Sequence, residues 1–293
     1  MISTLILSSF QILILTLFGY CISTLGGGKG IRGFSLGFLI SFSSFHVIPV
    51  LLFLIFGEIH VLEFMICIIC FILITFYYRS PYLNLSYKHF LFSNKFTLTA
   101  LFILVLSRII TIPQNSDYIR GDIVSHIPSI LAFGNGLLGY PSVSYPRGFH
   151  GLFLVLSFGQ EPVLVSKSLL ITLMLIGWCF YSSIVRKFLP DKESGILILL
   201  SSGIGFLGLP DGLIRISGWW LIRQSNIQPE ISAWIFIVAL LWMMTCRSRE
   251  SSVERLEWLA LTSLVFALAT TNPFFLLTCS PFILAWNYTS NVI

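Results

Sequence analysis

Asp122 and His126 stand four residues apart. On a helix that spacing puts both side chains on one face, where they can hold each other or share one ion. A carboxylate beside an imidazole can act as a general base, and the pair supplies two ligands for a divalent cation such as Mg or Mn. Asp117 adds a second carboxylate five residues upstream, and His150 closes the same polar stretch just after Tyr145 and Pro146. Arg120 and Arg147 bring positive charge beside the acids. Arg108 lies inside an apolar run, where a charge is costly and marks function or pairing. Such a set suits an anionic, lipid-linked substrate. The arginines would take a phosphate, and the carboxylate would take an acceptor proton or hold the cation. The plain alternative is a polar loop whose aspartate caps a helix.

Further candidates follow later in the chain: Asp211, the Trp219-Trp220 pair, Arg223, Gln228 and Glu230. The tryptophans fit an interface belt or a platform for a sugar ring. Pro229 fits a helix start, and Glu230 in the first turn either faces the site or favours the helix dipole.

These residues sit in a chain that is 56% hydrophobic and only 10% charged. Soluble domains carry about 25% charged residues, so the deficit is too large for a water-facing surface. The net charge of +5 comes without a basic stripe interleaved with aromatics, which argues against a nucleic-acid partner. The six cysteines lie in apolar runs, and the Cys67–Cys70 pair has no polar neighbours to shape a redox or metal site. They read as small lipid- or core-facing residues. The run at residues 26–30, three glycines, Lys29 and Gly30, lacks the spacing of a phosphate loop and reads as a turn.

Apolar runs near 20 residues, enough to cross about 30 Å of hydrocarbon, recur along the chain. They predict an all-α integral membrane protein with about eight spans: 2–24, 34–56, 59–78, 96–113, 163–185, 195–210, 230–246 and 257–287. The first reads as a spanning helix and not a cleaved signal, since no basic segment precedes it. The last is interrupted by Asn272-Pro273, which should kink or split it. With the turn at residues 26–33 in the cytoplasm, eleven of the seventeen Lys and Arg residues fall on that side and five opposite, with Arg108 inside a helix. That asymmetry fixes the orientation. The segment from Pro146 to Phe158 looks helical but is too short to span. It is expected to lie along the non-cytoplasmic interface or dip into it. The loop at about 114–150 is therefore long, structured and on the non-cytoplasmic side.

Asp122-x-x-x-His126 followed by Tyr145-Pro146-x-x-x-His150, opening a short helix after a span, resembles the first outer loop of GT-C-type membrane glycosyltransferases. The resemblance covers roughly residues 96–246. Residues 1–95 would be an N-terminal three-helix extension and 247–293 a C-terminal span with the Asn-Pro break, all within one polytopic domain. It implies a multi-pass protein of the plasma membrane of a prokaryote. It would transfer a sugar from a polyprenyl-phosphate donor to an acceptor on the non-cytoplasmic face. Asp122 would be the base or metal ligand, aided by His126, His150 and Asp117. Arg108, Arg120, Arg147, Tyr145, Arg223 and Glu230 would bind substrate or phosphate. The competing expectations are a multi-span transporter or lipid flippase, which would place ionisable residues on broken helices near the midplane, and a non-catalytic relative. The sequence is silent on oligomeric state.

Overall fold

The computed structural model describes residues 2–28, 30–57, 59, 61–78, 93–111, 122–135, 147–201, 229–245, 251–273, 275–277, 279–281 and 283–284, without the side chains of 107–111, 122–126, 229–231 and 251–252. All regular structure among them is helical: α1 (Ile2–Leu25), α2 (Gly30–Phe56), α3 (Val61–Tyr78), α4 (Lys95–Thr111), α5 (Asp122–Gly134), α6 (Gly148–Val155), α7 (Pro162–Phe188), α8 (Asp191–Ser201), α9 (Pro229–Thr245) and α10 (Ser251–Thr271).

Four of them, α1, α2, α3 and α7, are long and apolar enough to cross a membrane. The expected spans at 96–113 and 230–246 are present as shorter apolar helices, Lys95–Leu106 and Ser232–Thr245. The helix expected at 195–210 is described only as far as Ser201, and the one expected at 257–287 is split at Asn272, with helix up to Thr271 and helical residues again at 273, 275–277, 279–281 and 283–284. Leu62, Ile66, Ile69, Leu73 and Tyr77 stand exposed along α3, a surface that suits lipid and not water. Cys67 and Cys70 share that exposure, while Cys21 and Cys279 are buried. The chain is an all-helical membrane protein.

Between helices in hydrocarbon there is little hydrophobic drive, so close backbone approach and polar links do the work. The α1–α2 contact shows the first. A Cβ placed on Gly37 would fall 2.2 Å from the Gly19 carbonyl oxygen, so these helices can meet only through glycine. Ser41 adds a hydroxyl bond to the Leu15 carbonyl, 2.9 Å. The α2–α10 contact shows the second. Arg32 donates through Nε to Glu257 Oε1 at 2.8 Å, and its Nη2 bonds the same oxygen. Glu257 is 3% exposed. The Arg32 guanidinium also lies 5.4 Å from the Trp242 ring centroid, which brings α9 into the clamp.

A second polar joint ties α4, α7 and α8. Asp191 opens α8 and accepts the backbone N–H groups of Phe96 (2.9 Å) and Thr97 (3.0 Å), so it caps α4 from another helix. Arg186 donates to Asn94 Oδ1, to the Leu189 carbonyl and, more weakly, to the Ser93 carbonyl, and it lies 3.8 Å from Asp191. Partial burial would raise the Asp191 carboxyl. The two N–H donors and Arg186 outweigh it and hold the group below the usual carboxylate range.

Removing Glu257 strands a largely buried guanidinium. Glu257→Ala should cost about 2–4 kcal/mol and Glu257→Gln clearly less, because the amide still accepts. Thermal unfolding of the two variants in one detergent checks the order, and equal midpoints would mean the charge contributes nothing. Asp191 gives a pH signature. Its folded pKa is depressed, so its contribution is present above the unfolded value and is lost as pH falls through the folded one. Wild-type stability should therefore drop more steeply below about pH 4 than that of Asp191→Asn, measured by unfolding across an acid series.

Candidate functional site

The helix expected over Pro146–Phe158 forms as α6, but it does not lie on the surface. Gly148, Phe149, His150, Gly151, Leu152, Phe153 and Val155 are all buried. Its apolar residues run right round the helix, which gives it no polar face to turn to water. Neighbours approach closely. A Cβ on Gly151 would lie 2.8 Å from Pro49 Cβ in α2, and one on Gly148 would lie 2.7 Å from both the Thr270 and Thr271 hydroxyls at the end of α10.

The height of α6 follows from its partners. His46 stands fourteen residues beyond Arg32 and Thr271 fourteen beyond Glu257, so both lie about 21 Å from the Arg32–Glu257 clamp. Ser41 contacts the Leu15 carbonyl of antiparallel α1, which puts Gln11, one turn further on, level with residue 45. Gln11 Nε2 donates to the Leu156 carbonyl just past the end of α6, 3.0 Å. Both ends of α6 thus sit at one height, and the helix, about 12 Å long, crosses inside the bundle.

A helix end buried in apolar surroundings needs partners for its carbonyls. Gln11 supplies one. Its amide also donates to Ser168 Oγ (3.0 Å), and its oxygen accepts from the Thr172 hydroxyl (2.8 Å), which locks it between α6 and α7. Ser157 supplies another by turning its hydroxyl back to the Leu154 carbonyl, 2.7 Å. The chain then reverses through Phe158 (φ 49°) and Gly159 (φ 72°) into α7. Beside this turn an apolar crevice of about 670 Å³ opens between α1 and α3, lined by Phe10, Leu13, Leu17 and Met65 among others.

At the other end, Arg147 precedes α6 and is itself 7% exposed. Its Nη1 lies 3.1 Å from His150 Nδ1. A guanidinium only donates, so His150 accepts at Nδ1. The guanidinium also lies 5.8 Å from the Phe133 ring centroid of α5. Helix α5 is the element that opens with Asp122, and its backbone is helical through His126, so positions 122 and 126 are one turn apart on one face. Phe133 is eleven residues further on, a rise of about 16 Å. Helix α5 therefore carries the Asp122–His126 motif at one end and meets Arg147 and His150 at the other.

Asp117, Arg120, Tyr145, Pro146, Asp211, Trp219, Trp220, Arg223 and Gln228 lie outside the described residues, as do the side chains of Arg108, Asp122, His126 and Glu230. The pair expected to take a divalent cation is among them. Among the described residues no three His, Cys, Asp or Glu side chains gather as a metal site. Of the expected site residues, Arg147 and His150 are those whose side chains are placed, and they are placed together.

Sequence reasoning missed a polar set in the bundle. His46 is fully buried, with Nδ1 2.9 Å from the Phe42 carbonyl and its ring between Phe42 and Phe236. Among the described residues its Nε2 has no hydrogen-bond partner, nor do the buried hydroxyls of Ser43, Ser232 and Thr271. Buried polar atoms left this way call for water or a ligand. The signal was available, since Gln11 and His46 are polar side chains inside apolar spans. Comparison of the chain with protein families, with characterised proteins and with solved structures finds no match.

Gln11→Leu removes three bonds at once. It should cost about 2 kcal/mol and speed amide exchange in residues 152–157 more than in α10. Uniform exchange across both would show that Gln11 does not anchor α6.

Proposed function

We propose that the protein is a membrane glycosyltransferase-like enzyme acting on a polyprenyl-phosphate-linked sugar at its non-cytoplasmic face. The observation that carries this is the buried Arg147–His150 pair at the start of a helix inside an apolar bundle. A guanidinium in such surroundings is expensive and suits a phosphate oxygen pair. The apolar crevice beside the α6–α7 turn offers space for a hydrocarbon chain.

In this scheme the acceptor hydroxyl loses its proton to the Asp122 carboxylate while its oxygen attacks the anomeric carbon of the donor. The bond from that carbon to the phosphate oxygen breaks, and the electron pair leaves with the lipid phosphate. Arg108, Arg120 and Arg147 meet the charge that develops there. His126 orients Asp122 from the next turn of α5.

A transporter is the second reading. His46 and Thr271, whose Nε2 and hydroxyl lack a hydrogen-bond partner among the described residues and which stand beside the short helix inside the bundle, favour it, since transporters build their sites where helices break.

Asp122→Asn separates the two. With purified protein in lipid and a mixed pool of polyprenyl-phosphate sugars, wild type should form product. The variant should lose at least about a hundredfold in rate, the scale of a general base. Wild type that forms no product, yet carries a labelled lipid-linked sugar across a proteoliposome wall, would transfer the assignment to transport.

A further inference from the structure

We propose that a crevice at the Arg32–Glu257 end of the bundle holds an acyl chain of an anionic membrane lipid, whose phosphate pairs with the Lys187 ammonium. The site is remote from α6 and does not rest on the transferase assignment.

The crevice measures about 210 Å³ and runs between α1, α2 and α7, lined by Thr16, Ser35, Phe38, Cys179, Ser183 and Trp242 among others. Its α2 wall, Phe34 to Phe38, begins two residues past Arg32 and ends six past it, within about 9 Å of the clamp. Helices α1, α2 and α7 are all long and apolar enough to span, so the crevice lies at hydrocarbon depth, where water does not compete. Two serines in it are already satisfied. Ser35 donates back to the Ile31 carbonyl and Ser183 to the Cys179 carbonyl, each at 2.9 Å. Neither is left to bind a polar ligand, and the walls offer chiefly carbon. Along α7 the lining runs from Leu175 to Ser183, about 12 Å, an elongated shape that suits a chain. Cys179 and Ser183 are exposed there, so the groove opens to the surrounding lipid. An unfilled apolar groove leaves its lining without dispersion partners on one side, and a hydrocarbon tail supplies them.

The charge at its mouth selects the headgroup. Lys187 follows Ser183 by four residues, one turn nearer the end of α7 and on the face that lines the crevice. The arginines nearby are committed, Arg32 to Glu257 and Arg186 to Asn94, Asp191 and two carbonyls. Lys187 is exposed and forms no ion pair among the described residues. Its stem can lie along the apolar surface while the ammonium stands at headgroup level. Basic groups beside a gap between spans favour anionic lipid headgroups. Trp242, 5% exposed, closes the back of the crevice and also carries the Arg32 guanidinium 5.4 Å from its ring centroid. A chain seated there packs against the residue that supports the clamp, so binding stabilises the fold as well as filling the groove.

The test is a titration of the purified protein in a non-ionic detergent, read by native mass spectrometry, with three probes: dioleoyl phosphatidylglycerol, dioleoyl phosphatidylcholine and glycerol 3-phosphate. Wild type should retain one phosphatidylglycerol about fivefold more tightly than phosphatidylcholine, and should unfold at a higher temperature with it bound. Glycerol 3-phosphate, a headgroup without chains, should not bind. Lys187→Gln, at an exposed position, should hold both lipids with the affinity wild type shows for phosphatidylcholine. Cys179→Phe fills the crevice and should lose both. Should Cys179→Phe fail to fold, phosphatidylglycerol brominated along its chains locates the tail in wild type, because bromine quenches tryptophan fluorescence on contact. The saturable part of that quenching should vanish in Trp242→Phe. No retained lipid, or equal retention of the two lipids by wild type, would overturn the proposal, as would a preference that Lys187→Gln keeps. Unchanged binding in Cys179→Phe, or saturable quenching that survives Trp242→Phe, would put the chain elsewhere and overturn it too. Glycerol 3-phosphate bound as tightly as phosphatidylglycerol would make this a free-anion site and rule out the lipid.

Discussion

A helix of eight residues buried inside an apolar bundle has to find partners for the backbone groups at its ends without water. That constraint organises the structure around α6. At its C-terminal end the requirement is met from 145 residues away, by the Gln11 amide on the Leu156 carbonyl. Gln11 is held in turn by Ser168 and Thr172, so one side chain fixes α1, α6 and α7 relative to one another. Ser8 reinforces the joint by bonding the Ser168 carbonyl. An amide is well chosen here. It donates and accepts at once and carries no charge, so burial costs little once its bonds are made.

The far end of the bundle is built differently. Arg32, Glu257 and Trp242 bring α2, α10 and α9 together through charge and ring. A buried ion pair is weak evidence for stability, but its one geometry specifies register strongly. With Arg32 opposite Glu257, equal steps along the parallel α2 and α10 bring His46 and Thr271 to the same height. The polar end of α6 then meets Thr271, and its middle meets Pro49. The register set at the clamp is thus read out about 21 Å away as the position of Gly148 against Thr271.

The long spans were legible because a run of twenty apolar residues has one meaning, and α1, α2, α3 and α7 follow the sequence closely. The short helix was legible as a helix but not as a buried one. Residues 148–155 are apolar all round, which fits an interface and a core equally, and what decides is Gln11, a residue of the first span. Arg147 and His150, the candidate residues whose side chains are placed, were picked out by the polar character of their loop, and the structure puts them together. Gln11, His46 and Thr271 were not singled out, since one amide, imidazole or hydroxyl leaves an apolar run unbroken. Their meaning depends on which helix faces them.

The sequence also records where the bundle makes room for α6. Pro49 in α2 lies seventeen residues past Arg32, and Pro273 after α10 lies sixteen past Glu257, so the two prolines stand within one residue of the same height. Each lacks the N–H that would bond the carbonyl four residues earlier, and each crowds that carbonyl. In α2 the helix continues through the proline. In α10 it ends at Thr271, and the chain tightens so that the N–H groups of Phe275 and Leu276 both turn to the Asn272 carbonyl. Both helices against α6 therefore carry a proline at the level where it packs. At Pro49 the ring is itself the contact surface for Gly151. At Pro273 the interruption ends the helix one turn above Leu268, beside Gly148. A regular helix in either place would meet α6 with an unbroken wall of side chains. The two prolines thus mark the level at which an eight-residue helix packs against α2 and the end of α10.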